Sequence, residues 1–235
     1  MKFIIIGCVL LVSISCQNKI FNTNTLTKEE EREGWELLFD GKTLNSWRFF
    51  KGDEIEGWKV KNGILCNSGI GSDHGGDIIT KDKYRNFELY LEWRIDSFSN
   101  SGIFYHVQEL DSIQAIYESG PEYQLADDLN DNDPNTLCSQ LTGANYGMNR
   151  PRDAVLKPLK QWNKTRIIVK GPYVEHWLNG VKVVEYELWS KDWLHRKNIS
   201  KWKDYPYYGI AKDGYIGLQD HGGLTCFKNI KIRRL

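Results

Sequence analysis

At 235 residues the chain is long for one average domain but ordinary for a single β-sandwich, and it can bury enough surface to fold without a disulfide scaffold. Its 31 basic and 31 acidic residues cancel and form no basic stripe, which argues against a nucleic-acid partner. Nine Trp and twelve Tyr are a heavy aromatic load; strand and core packing absorbs most of them, and such rings also suit stacking on sugar faces.

Met1-Lys2 gives a short positive start, and Phe3 to Val12 is an almost unbroken apolar run, too short to span a bilayer. Ser13-Ile14-Ser15-Cys16 follows, with the small residue before Cys that lipoprotein processing requires, although Ser13 replaces the usual aliphatic residue. The expectation is a signal peptide over 1–15, lipidation at Cys16, a tether over 16–33 and one domain over 34–235. Acyl chains on Cys16 would anchor the protein to the outer or inner membrane, making it a cell-envelope lipoprotein on the periplasmic side or the surface. Thr27 with Glu30 reads as a capping box, so a short helix closes the tether.

Beyond Gly34 the signals are strands. Trp58 to Cys66 alternates around an Asn62-Gly63 turn. Phe87 to Ile95 alternates cleanly, with Phe87, Leu89, Leu91, Trp93 and Ile95 on one face and Tyr90, Glu92 and Arg94 on the other. Ile103 to Val107 repeats the pattern. Arg166 to Val184 reads as two strands around Asn179-Gly180, the strongest short hairpin signal. Tyr215 to His221 and Phe227 to Leu235 close the series. The stretches 127–160 and 186–205 are rich in Asp, Asn, Pro and Trp and read as long loops with short helices. The fold class is therefore all-β: an antiparallel two-sheet sandwich or jelly roll. Cys66, Cys138 and Cys226 remain after the leader; Cys66 and Cys226 read as buried strand thiols, with at most one disulfide among the three.

No GxSxG, Walker loop, HExxH or dinucleotide fingerprint occurs. The acidic run over 127–133 lacks the glycine and closing Glu of an EF-hand, so a solvated loop is favoured over a calcium site. Alternation instead offers polar residues sharing strand faces. Phe104 and His106 lie opposite Ile103, Tyr105 and Val107. Glu122 and Gln124 lie opposite Tyr123 and Leu125. Gln219 and His221 lie opposite Ile216 and Leu218. Three neighbouring strands of this kind would line a cleft.

Six blocks in order carry a resemblance: GWELLFDGKTLNSW, GGDIITKDKYRNFEL, NSGIFYHV, SGPEYQL, VEHWLNGVKVVEYEL and GYIGLQDHGGLTCFKNIKIRRL. The chain resembles the 3-keto-disaccharide hydrolase domain family, common in exported Bacteroidetes-type lipoproteins, over about 34–235. The resemblance implies a concanavalin A-like jelly roll that cleaves glycosides oxidised to a ketone at carbon 3. It places Glu122 and Gln124 in a Pro-Glu-x-Gln block and Gln219, Asp220 and His221 in an LQDHG block.

A ketone at carbon 3 acidifies the carbon 2 proton, so a base can remove it, the glycosidic oxygen can leave carbon 1, and water can add to the enone. That route needs an acid and a base rather than the paired carboxylates of ordinary glycosidases. Glu122 and His221 are the expected acid/base pair, and His106, Gln124, Gln219 and Asp220 the expected sugar contacts. No cofactor is otherwise implied; the alternative route is a divalent cation held by His106, Glu122 and His221. The implied partners are an oxidised carbohydrate and an upstream sugar 3-dehydrogenase. The competing reading is a non-catalytic, lectin-like carbohydrate-binding lipoprotein, because one fold serves many functions.

Overall fold

Period-two alternation becomes sheet wherever one face of a strand can be buried, and here two faces bury one another. A computed structural model of the chain describes residues 23–52, 54–69, 76–128 and 138–235. The expected signal peptide and Cys16 lie outside the described residues, as does most of the acidic run over 127–133.

In chain order, a short helix α1 (Lys28–Arg32) precedes strands β1 (Trp35–Leu37), β2 (Trp47–Phe49), β3 (Lys59–Lys61), β4 (Ile64–Cys66), β5 (Ile78–Thr80), β6 (Phe87–Ile95) and β7 (Asn100–Val107). Then come β8 (Glu122–Ala126), β9 (Asn163–Lys170), β10 (Tyr173–Leu178), β11 (Val181–Glu187), helix α2 (Lys191–Ile199), β12 (Tyr215–Leu218) and β13 (Thr225–Arg234). One sheet runs β11-β10-β9-β6-β13-β4-β3, with β1 also pairing β13; the other runs β2-β5-β12-β7-β8. All these pairings are antiparallel. The molecule is an all-β jelly-roll sandwich, as its alternation predicts.

The predicted faces hold in β6, where Phe87, Leu89, Leu91, Trp93 and Ile95 are buried while Tyr90, Glu92 and Arg94 are half-buried. Both Asn-Gly pairs turn with positive φ at each residue, +52° and +73° at Asn62-Gly63 and +49° and +90° at Asn179-Gly180, as a primed turn requires. The run from Arg166 to Val184 differs from expectation. It spans three strands, because Gly171 adopts φ +59° and its N–H donates to Asn86 Oδ1, breaking the first run into β9 and β10. The capping box forms as read: Thr27 Oγ1 accepts from Glu30 N–H, and Glu30 Oε2 accepts from Thr27 N–H.

The thiol reading of Cys66 and Cys226 is corrected. They face each other across β4 and β13 and form a disulfide, because direct opposition in an antiparallel pair brings two side chains within bonding reach. Cys138 is free and exposed.

The sheets enclose one large core that includes Trp47, Trp93, Tyr105, Tyr123 and Phe227. A smaller cluster of Phe50, Ile79, Phe104, Val107, Ile113 and Ile116 covers part of the other face of the five-stranded sheet. That face matters for function. Ile79, Gly217, Phe104 and Glu122 pair across β5, β12, β7 and β8 in one row, so their side chains share a side. The apolar cluster covers Ile79 and Phe104; Glu122 lies at the uncovered β8 end.

Two segments wall that end, one before β9 and one after β11. In the second, α2 begins at Ser190, whose Oγ accepts from Trp193 N–H, and a 3-10 turn follows over Lys201–Asp204. A column of stacked rings fixes both pieces: Tyr186 on Trp193 at 5.3 Å, Trp193 on Tyr208 at 5.8 Å, and Tyr208 on Trp202 at 4.1 Å, with interplanar angles of 15°, 2° and 6°. Trp202 also donates from Nε1 to the Tyr146 carbonyl at 2.8 Å, lacing the two walls together.

Candidate active site

A cavity of about 170 Å³ opens on the uncovered face, lined by Asn100, Tyr117, Glu122, Gln124, Tyr146, Lys201, Tyr205, Gln219 and His221. That volume equals roughly six waters at ~30 Å³ each, room for about one sugar ring. β7, β8 and the chain just after β12 supply Asn100, Glu122, Gln124, Gln219 and His221, the two walls supply Tyr146, Lys201 and Tyr205, and a 3-10 turn between β7 and β8 supplies Tyr117. A larger groove of about 460 Å³ is lined by Arg150, Arg152, Asp153, Lys182, Glu185, Arg196 and neighbours. It is a solvated charged surface in which Lys182 pairs with Glu175 and Glu185, and Arg196 with Asp192. None of its groups is both buried and strongly perturbed, so the smaller cavity is the better candidate.

Glu122 is 5% exposed. Burial pushes its carboxyl up to about 8; the Lys201 ammonium opposes the rise and the Asp77 carboxylate adds to it. Among the described residues no backbone N–H donates to that carboxyl, and the charge that favours its anion is the Lys201 ammonium. The shift favours the neutral acid over the carboxylate at neutral pH. Lys201 Nζ sits 4.3 Å from the Tyr146 ring centre and 4.4 Å from that of Trp202, cation–π contacts that place its charge at the cavity wall.

His221 is tethered by amides. Asn100 Nδ2 lies 2.9 Å from His221 Nδ1, and Gln124 Nε2 donates to Asn100 Oδ1 at 3.0 Å. A strand residue thus orients an imidazole that itself lies beyond the end of a strand. Gln219 is held by its backbone, whose N–H donates to the Gly102 carbonyl at 3.1 Å.

The structure gathers Glu122, Gln124, Gln219 and His221 in one cavity. Asp220 and His106, expected as sugar contacts, do not line it. Asp220 is fully buried and accepts from Asn67 Nδ2 and Ser68 Oγ at 2.8 Å each, while its own N–H donates to Asp77 Oδ1; it braces the β4–β5 connection. His106 is displaced by a bulge. It adopts φ +55°, and the β7–β12 register shifts beside it, so Val107 joins Phe104 in the smaller cluster. Its ring turns toward the start of β6, hydrogen-bonds the Arg85 carbonyl through Nε2 at 2.9 Å and lies edge-on to Phe87 and Tyr105. The cation set of His106, Glu122 and His221 is therefore not assembled, and the described residues contain no group of three or more His, Cys, Asp or Glu placed for a metal.

Sequence reasoning missed Asn100, Tyr117, Tyr146, Lys201 and Tyr205. Asn100 opens the NSGIFYHV block, but the other four lie in segments without period-two order, where no alternation says which way a side chain turns.

A jelly roll whose open face carries a buried carboxyl, an amide-tethered imidazole and three tyrosines belongs to the class of folds that can hold a sugar, with rings for its faces and amides for its hydroxyls. Comparison narrows the class: residues 34–233 match the 3-keto-alpha-glucoside-1,2-lyase-like domain, and the chain belongs to that family. It is 34% identical over 252 aligned positions to a 3-keto-disaccharide hydrolase of Bacteroides thetaiotaomicron, covering 95% of this chain and 86% of that protein. Two Parabacteroides distasonis crystal structures, each given a provisional glycosyl hydrolase name, share the fold. One has TM-score 0.84 and 40% identity, covering 91% of this chain and 100% of that one. The other has TM-score 0.69 and 31% identity, covering 86% and 99%.

Proposed function

We propose that the protein cleaves 3-keto-glycosides, 3-keto-disaccharides among them, by elimination and rehydration. His221 takes the carbon 2 proton, which the neighbouring ketone has acidified. The carbon 1–oxygen bond breaks, and Glu122 gives its proton to the departing glycosidic oxygen. Water then adds to carbon 1 of the enone, losing a proton to the Glu122 carboxylate, and the imidazolium returns a proton to carbon 2. Both residues end in their starting states, and the net reaction is hydrolysis.

The observation that carries this reading is the Glu122 carboxyl, buried in the cavity and held near 8, as a general acid at neutral pH requires. For His221 to act through Nε2, its Nδ1 must donate to Asn100. Turning the Asn100 and Gln124 amides end for end gives that polarity without moving a heavy atom. Lys201 supplies positive charge where the enolate oxygen develops, and Gln124 and Gln219 hold hydroxyls. The Cys66–Cys226 disulfide favours an oxidising compartment, which supports an envelope location behind the Cys16 anchor. The substrate presupposes a dehydrogenase that oxidises the carbon 3 hydroxyl.

The test is to incubate purified protein with a 3-keto-glucoside in deuterated water while following enone absorbance and carbon 2 exchange. Cleavage with exchange is expected. A protein that binds the sugar and never exchanges that proton is a carbohydrate-binding module instead.

A further inference from the structure

Glycine inside a strand is a poor choice unless the backbone or the space demands it. Gly102 lies mid-β7 opposite Gln124, on the face that forms the cavity floor, and its backbone is not left-handed. Space is then the reason. A Cβ at position 102 would lie 2.9 Å from Glu122 Cδ and nearer still to Glu122 Oε1, closer than real Cβ atoms approach anything. The same atom would lie 2.7 Å from Phe104 Cε2. Other tightly packed glycines serve the scaffold: Gly69 abuts the backbone of Gly223, and Gly214 that of His106. Gly102 instead abuts the reactive group.

We propose that Gly102 is a positioning residue: its bare Cα is the slot in which the Glu122 carboxyl lies, flat on the sheet and withdrawn from water. This deepens the reading of Glu122 as the proton donor and rests on it. A side chain at 102 would lift the carboxyl toward the cavity mouth, where hydration favours the anion and the donated proton is lost before the sugar arrives. It would also fill part of the floor beneath the ring.

The test combines kinetics with melting. Gly102→Ala is expected to lower kcat by about a hundredfold, within the range for losing a general acid. The alkaline limb of its pH profile should move to lower pH, which a merely loosened strand would not cause. Shortening the acid should restore room, so Gly102→Ala/Glu122→Asp should turn over at least about tenfold faster than Gly102→Ala. Melting of wild type, Gly102→Ala, Glu122→Ala and the double alanine variant reads the contact without activity. The Tm lost through Gly102→Ala should shrink by at least about half once the carboxyl is gone. Should the wild type prove inert on keto-sugars, the proton-donor reading fails, while that melting cycle still decides the slot. Additive Tm losses would assign the crowding to Phe104 and overturn the proposal, as would a Gly102→Ala enzyme with wild-type kcat and an unmoved alkaline limb.

Discussion

Replacing Glu122 with Gln tests the protonation state on which the mechanism stands, and does so through stability alone. The folded carboxyl titrates at about 8 against an ordinary value of 4.5. Between those values the folded chain holds a proton that the unfolded chain has released. Stability is therefore fully present below about 4.5, falls as pH rises toward about 8, and stops falling above that. Every pH unit climbed between the two values costs roughly 1.4 kcal/mol, so the penalty is about 1 kcal/mol at pH 5, 2 at pH 6 and roughly 4 at pH 8.

These figures are a ceiling, because water at the cavity mouth relieves part of the burial; about half is the expectation at each pH. Gln keeps the shape, carries no charge, and loses no described side-chain hydrogen bond. Glu122→Gln should therefore exceed wild type in Tm by only about 1–2 °C at pH 5 and by at least about 4 °C at pH 8, taking ~2–4 °C per kcal/mol for a domain of this size. The assay is paired thermal melts from pH 5 to 9. Parallel Tm curves would mean that the carboxyl is ionised throughout, and would refute both its burial as an acid and its role as proton donor.

Turnover of a 3-keto-glucoside should exceed that of the parent glucoside by at least about a hundredfold, measured as initial rates, because only the ketone acidifies the carbon 2 proton; equal rates would point to ordinary glycosidase chemistry. Lys201→Met removes a charge that holds the Glu122 carboxyl down, so the alkaline limb of the kcat profile should move to higher pH; an unmoved limb would separate the two residues. The Cys66→Ser/Cys226→Ser variant should lose about 2–5 kcal/mol in denaturant melts, since the bond closes a long loop with a sequence separation of 160. Cys16→Ala should move the protein from the membrane fraction to the soluble envelope fraction without changing its melting; a wild type already soluble would end the anchor reading.

What could be read from the residues followed from where side-chain direction is fixed by the chain itself. In β6 and β8 the backbone alternates without interruption, so the face of Glu122 and Gln124 was legible from Tyr123 and Leu125, which take the other one. His106 sits on the same kind of run, yet the bulge at its own position reversed the count for Val107, and a bulge announces itself in no residue type there. Asp220 shows a different failure. Neighbouring Gln219 and His221 do line the cavity, but the carboxylate between them takes the opposite side, where Asn67 and Ser68 donate to it, and a conspicuous carboxylate became a brace. The disulfide was open for the same reason: β4 and β13 are far apart in sequence, and only their pairing sets Cys66 against Cys226.

The loops escaped prediction for a deeper reason, which also divides the labour of the site. Lys201 and Tyr205 reach the cavity because Trp193, Tyr208 and Trp202 stack into one column, a long-range arrangement to which no local period contributes. The Glu122 carboxyl, by contrast, lies on a sheet row fixed by hydrogen-bonded neighbours on β7 and against the bare Cα of Gly102. A rigid floor holds the reacting groups to the tolerance proton transfer demands, while walls carried on a packed insertion can change composition without disturbing that floor. Substitutions at Tyr117, Tyr146 and Tyr205 should then redistribute preference among keto-sugars, whereas those on the floor should abolish turnover on all of them.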